Sequence, residues 1–467
     1  LYIGKVKAFS NSLKNILLKG LYMDYKKIAV EILNKTMAKG ADEAEVYVQL
    51  SEGTSIEIKD GEVDSFEGAK EHGIGVRTIK DKGLGFSYTT DFDRGSLNKL
   101  VDEAIKSASN TYSDSFNGLP SLTNKYVDVK ILDEKVASAS IKEKIERARL
   151  LEELAKGYDK RITKVRKASV DFSVTETYLL NSHNIDLYQK GSNCSASIMV
   201  VAEDKGEAQM AWDYASHRFY DNLNIKEVAE TAGKRAVDLL GAQKISSCKT
   251  PVILSNNVAS EFLGVLTGSF SADSVLKNKS LLKDKKGEKL FSELINIIDD
   301  GLIDGMVGSS VFDGEGVPVQ KKALVEKGVV KGYLHNVYTA KRMKELPTGN
   351  GMRGGFKGVP NIGITNLFIE KGSKSLDELF SSIDEGIYIT EAMGMHTANP
   401  ISGDFSVGAV GFYIKGGKLL YPVREIAIAG NILELFNKVD AIGSDLRFYG
   451  KIGAPSLRIK ELSISGK

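Results

Sequence analysis

The sequence predicts an α+β fold in two unlike parts. The first is an N-terminal region of two duplicated helix-plus-antiparallel-sheet halves; the second is a C-terminal domain dominated by a large, mostly antiparallel sheet that could close into a barrel. Three observations predict this. Stretches such as "AEVYVQL", "TSIEIKDGEVDSFEG" and "IGVRTIKDKGLGFSYTT" alternate apolar and polar residues with the period of two that belongs to half-buried strands. The order helix, strands, helix then occurs twice along the chain. Beyond Val317, strand-like runs follow one another with few helices between them. At 467 residues the chain also exceeds what one ordinary core holds, so two or three domains are expected.

Taken in order, residues 1–22 form a basic segment carrying Lys5, Lys7, Lys14 and Lys19 and no acid. Its apolar stretch at Ile16 to Leu18 is cut short by Lys19 and Gly20, too soon for a signal-peptide core. Met23 makes a natural start, so 1–22 is taken as an upstream extension. The first domain covers 23–245, with its internal repeat over about 23–120 and 135–245. Asp24 caps a helix to about Ala38, with Ile28, Ile32 and Leu33 on one face, and Gly40 ends it. A meander follows, turning at Asp60-Gly61 and at Lys82-Gly83, where glycine can supply the positive φ of a tight hairpin. A second helix runs from about Arg94 to Ser109.

In the second half, Ser140 and Glu143 form a capping-box pattern before a helix to about Gly157. Four or five strands and a helix from about Ile225 to Leu240 complete it, and the triplet Asp81-Lys82-Gly83 reappears as Asp204-Lys205-Gly206 at a matching hairpin. The second domain covers 246–467. There "TPVILS" is a compact strand, Asn256 or Asn257 caps a helix to about Leu266, and charged connections lead to the strand-rich end.

Composition excludes several classes. Lys plus Arg number 63 against 61 for Asp plus Glu, interspersed along most of the chain, which argues against a nucleic-acid surface. No apolar run approaches the length that spans a bilayer. Cys194 and Cys248 are far apart and outside any metal or redox spacing, which fits a reducing, cytoplasmic compartment.

Several stretches look chemical. "MGMHTANPISGDFSVG" (393–408) sets His396, Ser402, Asp404 and Ser406 in one glycine-punctuated segment. Gly403 to Gly408 is one residue too long for a nucleophile elbow, however, and alternation puts Ser406 inside a strand, so a serine hydrolase is not supported. "TGNGMRGG" matches the dinucleotide fingerprint formally. Pro347 and Pro360 flank it and no strand-turn-helix surrounds it, which leaves a loop beside a cleft, with Arg353 as an anion contact. His72, His183, His217, His335 and His396 are too dispersed for two to share a helix turn, and no local zinc motif exists.

Four longer segments carry a resemblance: 312–343, "PTGNGMRGG" (347–355), 390–431 and "GAPSLRIKELSISG" (453–466), with "GIGVRTIKDKGLGFSYTTD" (73–91) in the N-terminal part. From about Asp24 onward the chain resembles the TldD/PmbA family, once labelled modulators of DNA gyrase. The TldD type carries an H-E-x-x-x-H zinc helix and a later cysteine ligand. The matching helix here, "SNNVASEFLGVLTGSF" (255–270), has Glu261 without histidine, and "FYGKIGAPSLRIK" has no cysteine. The chain therefore looks like the PmbA type, also called TldE.

That resemblance implies an α+β N-terminal region with duplicated halves. It further implies a cytosolic zinc protease acting on unfolded peptides, including peptide-antibiotic precursors and antitoxins, with the zinc supplied by a TldD-like partner and none held by this chain. A strand-rich domain can receive an extended peptide at a sheet edge. Arg353, His396, Asp404 and Arg424 are the residues expected to contact peptide or partner, the alternatives being a solvated loop at Arg353 and structural polar roles for His396, Asp404 and Arg424, a role that suits Asp404 and Arg424 best. Competing readings are a homomeric peptidase or other hydrolase with an unrecognised site, and a regulator of DNA gyrase, which the near-neutral charge favours least. Alone, the chain could also pair with itself as a homodimer.

Overall fold

The computed structural model describes residues 23–467, so the basic segment 1–22 lies outside the described residues. Helix α1 (Tyr25–Ala38) starts where Asp24 accepts a hydrogen bond from the Lys27 backbone N–H at 2.9 Å. Three long strands follow, β1 (Glu43–Lys59), β2 (Glu62–Lys80) and β3 (Gly83–Thr89), and then helix α2 (Arg94–Asn110). The chain next forms α3 (Glu134–Ser138) and α4 (Ile141–Tyr158), the latter opened by a complete Ser140–Glu143 capping box. Strands β4 (Ile162–Asn181), β5 (Asp186–Asp204) and β6 (Glu207–His217) and helix α5 (Ile225–Asp238) finish this region.

The six strands make one antiparallel sheet in the order β3-β2-β1-β4-β5-β6, curved into a half-barrel. Each helix-to-helix unit holds three long strands where four or five shorter ones were expected. Glycines that suggested breaks lie inside the ladders: Gly53 pairs with Ala69 on one side and Ser173 on the other. The two repeated triplets also turn differently. Positive φ falls on Asp81 and Lys82 in the first but on Lys205 and Gly206 in the second. Gly83 is needed for another reason: a Cβ there would stand 2.2 Å from the Ala108 carbonyl oxygen.

A parity rule orders the four central strands, because side chains alternate between faces and the register carries the alternation from strand to strand. On β1, β2, β4 and β5 even-numbered residues, among them Val46, Val48, Ile74, Val76, Val170, Phe172, Ala196 and Ile198, point to the helices and form two buried clusters with α1, α2, α4 and α5. On the edge strands β3 and β6 the register reverses the parity, pairing Val76 with Ser87 and Val200 with Ala211. Odd-numbered residues of the four central strands face the rest of the chain. Tyr47 and Leu179 meet Phe312 and Phe356 there in a small apolar cluster.

The C-terminal part begins with β7 (Cys248–Leu254), α6 (Asn256–Leu266) and α7 (Ala272–Leu276). It continues through β8 (Ile297–Asp300), β9 (Lys321–Glu326), β10 (Val329–Val330), α8 (Val337–Met343), β11 (Gly351–Met352), β12 (Asn361–Ile362), β13 (Leu367–Ile369) and α9 (Leu376–Ser381). Strands β14 (Glu385–Met393), β15 (Asp404–Lys415) and β16 (Lys418–Asn431) come next, followed by α10 (Ile432–Asn437), β17 (Val439–Ile442), β18 (Arg447–Tyr449), β19 (Ile452–Ala454) and β20 (Leu457–Ser465). A sheet ordered β16-β15-β14-β7-β20-β17 gains a β16–β20 pairing, which closes five of its strands into a barrel. Only β14–β7 is parallel within it.

The apolar stripe of α6 (Val258, Ala259, Phe262, Leu263, Leu266) is wholly buried in the core shared with the barrel strands. Its Phe262 ring stands edge-on to Phe405, 4.8 Å between centroids. Truncating such a phenylalanine to alanine costs about 3–5 kcal/mol, so this helix is fixed firmly.

Candidate functional site

Burying one stripe of α6 leaves the opposite stripe outward. Glu261, Gly264, Val265 and Gly268 recur at helical spacing and form one wall of a cleft of about 460 Å³. The facing wall is Met395, His396, Ala398 and Pro400, from the short 3₁₀ turn Met395–Thr397 and the loop after it. Small residues at Gly264 and Gly268 keep the floor open. The glutamate stands among mostly apolar neighbours.

Burial first, and then the charge of Glu391, push the Glu261 carboxyl up to about 7, while Arg235 pulls the other way. Glu391 is itself raised by burial, again against Arg235. It comes from β14, where the register against β15 shifts between Ile389 and Glu391, and such irregularities re-aim side chains beside sites. Arg235 arrives from α5. The cleft electrostatics therefore combine two carboxyls from the barrel region with one guanidinium from the first region.

A polar chain holds that guanidinium. Asp213, fully buried on β6, accepts from Arg235 Nη1 at 3.1 Å and from Arg447 Nη2 at 2.5 Å and Nη1 at 3.2 Å. The Tyr449 hydroxyl accepts from both arginines at 3.1 Å and donates to Asn256 Oδ1 at 3.1 Å. The first turn of α6 is thus tied through Arg235 to β6.

Three sequence models cover nearly the whole described chain: the PmbA/TldA metallopeptidase domain 1 over residues 44–108, the central domain over 134–240 and the C-terminal domain over 247–466. The chain belongs to the PmbA/TldD metallopeptidase family. A metalloprotease of Methanocaldococcus jannaschii is 30% identical over 89% of this chain and 92% of its own. A crystal structure from Thermotoga maritima, titled as a candidate modulator of a DNA gyrase, is 28% identical and superposes with a TM-score of 0.88 over 94% of this chain and all of its own. TldE from Thermococcus kodakarensis is 25% identical with a TM-score of 0.85, over 94% of this chain and 100% of that one.

A metallopeptidase family raises the question of zinc, which takes three protein ligands in catalytic sites. The donors lining the α6 cleft of this PmbA/TldD chain are Glu261 and His396, with Glu391 near enough to raise the Glu261 carboxyl. Among the described residues no group of three or more His, Cys, Asp and Glu side chains is arranged to hold a metal ion. The donor set at the cleft does not fit a catalytic zinc.

Of the residues singled out in the sequence, the structure brings Glu261 and His396 together at the cleft. Arg353 is elsewhere. Its side chain is 1% exposed and pairs with Glu45 of β1, while Nε donates to the Gly314 carbonyl at 2.6 Å and Nη1 to that of Gly358 at 3.1 Å. The expectation of an anion contact open to a peptide is corrected: an acid 308 positions earlier in the chain already occupies it. Asp404 is exposed and outside the cleft lining; Asn431 Nδ2 donates to it at 3.0 Å, and this bond with that of Ser402 holds its carboxyl below the usual range. Arg424 sits on β16, where its backbone N–H donates to the Gln243 carbonyl at 3.0 Å, again away from the cleft. Glu391 and Arg235 escaped the sequence reading. The available signal was an acid at the end of an otherwise alternating "EGIYITEAM".

Among the described residues no helix is long and apolar enough to cross a membrane.

Proposed function

We propose that this chain is the TldE-type, non-catalytic subunit of a two-component zinc metalloprotease acting on unfolded peptides, with the zinc supplied by a TldD-like partner. The observation that carries the reading is Glu261. It stands on the cleft face of α6 without any histidine on that helix, beside a second carboxyl, where a metallopeptidase helix would present its ligands. The cleft keeps an apolar wall of Val265, Met395, Ala398 and Pro400, suited to side chains of an extended peptide. The likeness to TldE supports the same assignment.

Co-expression with a TldD-like protein from the same genome tests it. The two chains should co-purify, cleave an unfolded peptide together, and carry zinc in the partner. The chain alone should not cleave. Peptide cleavage by the solitary chain, with zinc bound to its own side chains, would overturn the proposal in favour of a homomeric peptidase.

A further inference from the structure

A second cavity, which shares no lining residue with the α6 cleft, lies on the odd-numbered face of the central strands of the N-terminal sheet. Its volume is about 210 Å³. Tyr47 and Gln49 of β1, Ser173, Thr175 and Thr177 of β4, and Gln189, Gly191 and Asn193 of β5 line it, together with Ile131, Ser192, Arg218 and Ser310. The register explains the grouping: Gln49 pairs with Thr177, Thr177 with Gln189, Thr175 with Gly191 and Ser173 with Asn193. All are odd-numbered, so all share the face turned from the helices. In a sheet interior this face would ordinarily carry apolar residues, as it does at Tyr47 and Leu179. Here it carries hydroxyls and amides.

Arg218 is the only charged residue among those lining the cavity. It donates to four backbone carbonyls: Nε to Met306 at 3.0 Å, Nη1 to Ser192 at 3.1 Å, and Nη2 to Val307 at 3.1 Å and Ser309 at 2.7 Å. A guanidinium has five N–H donors, so one remains on Nη1. That nitrogen lies where Gly191 leaves room, since a Cβ on Gly191 would stand 2.8 Å from it. Among the described residues no carboxylate opposes the charge; burial draws the Arg218 pKa down to about 10, which still leaves it protonated at neutral pH. Lys451, another cation, feels Arg218 as a repulsion. Among the described residues, the side chains of Gln49, Ser173 and Asn193 make no hydrogen bond to protein and keep their donors for whatever fills the space.

We infer that this cavity is an oxyanion site, taking a small carboxylate or phosphate between the free Nη1 donor of Arg218 and the side chains of Ser173, Gln49 and Asn193. A buried cation without a counter-ion is the costly arrangement that an anionic ligand relieves, and charge-assisted hydrogen bonds are the stronger kind. At about 210 Å³ the cavity lies below the range of about 300–1,000 Å³ usual for drug-sized ligands, which suits one small oxyanion better than a nucleotide. The inference does not rest on the proposed partnership.

Isothermal titration of the full chain in a chloride-poor buffer tests it, with inorganic phosphate in one arm. A short peptide with a free C-terminal carboxylate is used in a second arm and the same peptide amidated in a third. Saturable binding of phosphate assigns the site to a free oxyanion; binding of the acid peptide alone, and not the amide, assigns it to a chain terminus. Arg218→Gln removes the cation but also the four carbonyl bonds, so Asn193→Asp is the decisive variant: it keeps Arg218 and supplies an internal counter-ion. It should fold, melt at a higher temperature than the parent, and bind the successful ligand weaker by about tenfold or more. No saturable binding in any arm, or undiminished binding by Asn193→Asp, would overturn the inference.

Discussion

Arg77 Nη1 on β2 lies 2.9 Å from Glu315 Oε1, an ion pair between residues 238 positions apart, both almost completely buried. Arg77 also donates to Glu45 at 2.7 Å, and Arg353 shares that same glutamate. Two cations and two anions therefore sit in one dry cluster joining the N-terminal sheet to the loops before and after β9, β10 and α8. Asp313 beside them has its carboxyl raised by burial and by the Glu315 charge.

Replacing one member should do more damage than replacing the set. Arg77→Met leaves Glu45 short of a partner and Glu315 without its guanidinium, and should lower stability by about 3–5 kcal/mol, measured by denaturant unfolding. A near-neutral effect would mean that water reaches this cluster.

Glu261 gives a pH dependence whose sign follows from its raised pKa. The folded state holds this proton up to about 7, while an unfolded carboxyl releases it near its ordinary value of 4.5. Its contribution is therefore favourable at low pH and is lost as pH rises through that window. Glu261→Gln should flatten the loss, by on the order of 1 kcal/mol once the open side of the cleft is allowed for. Melting curves of parent and variant between pH 4.5 and 8 measure it; parallel curves would contradict the assignment.

Arg235 opposes the rise in both Glu261 and Glu391. Arg235→Gln should consequently move the titration of Glu261 above about 7, followed by carbon-detected NMR of the carboxyls. Unchanged titration would place Arg235 too far from the cleft to matter.

Gly73 is pressed by the Phe356 ring, since a Cβ on it would fall 2.1 Å from Cε2 of that ring. Phe356 is 2% exposed and cannot swing aside. Gly73→Ala should cost about 1–3 kcal/mol by overpacking, and partial relief is expected from Gly73→Ala combined with Phe356→Leu. Chemical denaturation of the single and double variants decides it.

Much of this architecture is legible from local chemistry. Asp24 and the Ser140–Glu143 pair mark true helix starts, alternation marks the long strands, and the Asp60-Gly61 hairpin has both residues at positive φ. What escaped depends on residues distant in sequence. Arg353 looks like a solvated anion contact until Glu45 of β1 is placed against it. Strand length was underestimated because Gly53 and Gly68 resemble breaks, and only their cross-strand partners show that the ladder continues through them. Glu391 stood out only as an acid within an alternating stretch, and the register shift that re-aims it is visible only against β15. The cleft itself was half legible: its α6 wall follows from helical spacing, and its opposite wall lies in the glycine-punctuated stretch around His396, but nothing local shows that the two walls meet.

The barrel is closed by its extremes, since β20 hydrogen-bonds to β7 on one side and to β16 on the other. During synthesis on the ribosome, β7 emerges roughly two hundred residues before β20, and until then its edge and that of β16 stay open. The nascent chain therefore carries an unpaired β7 border for roughly two hundred residues of its elongation, and the barrel can shut only once β20 has left the exit tunnel.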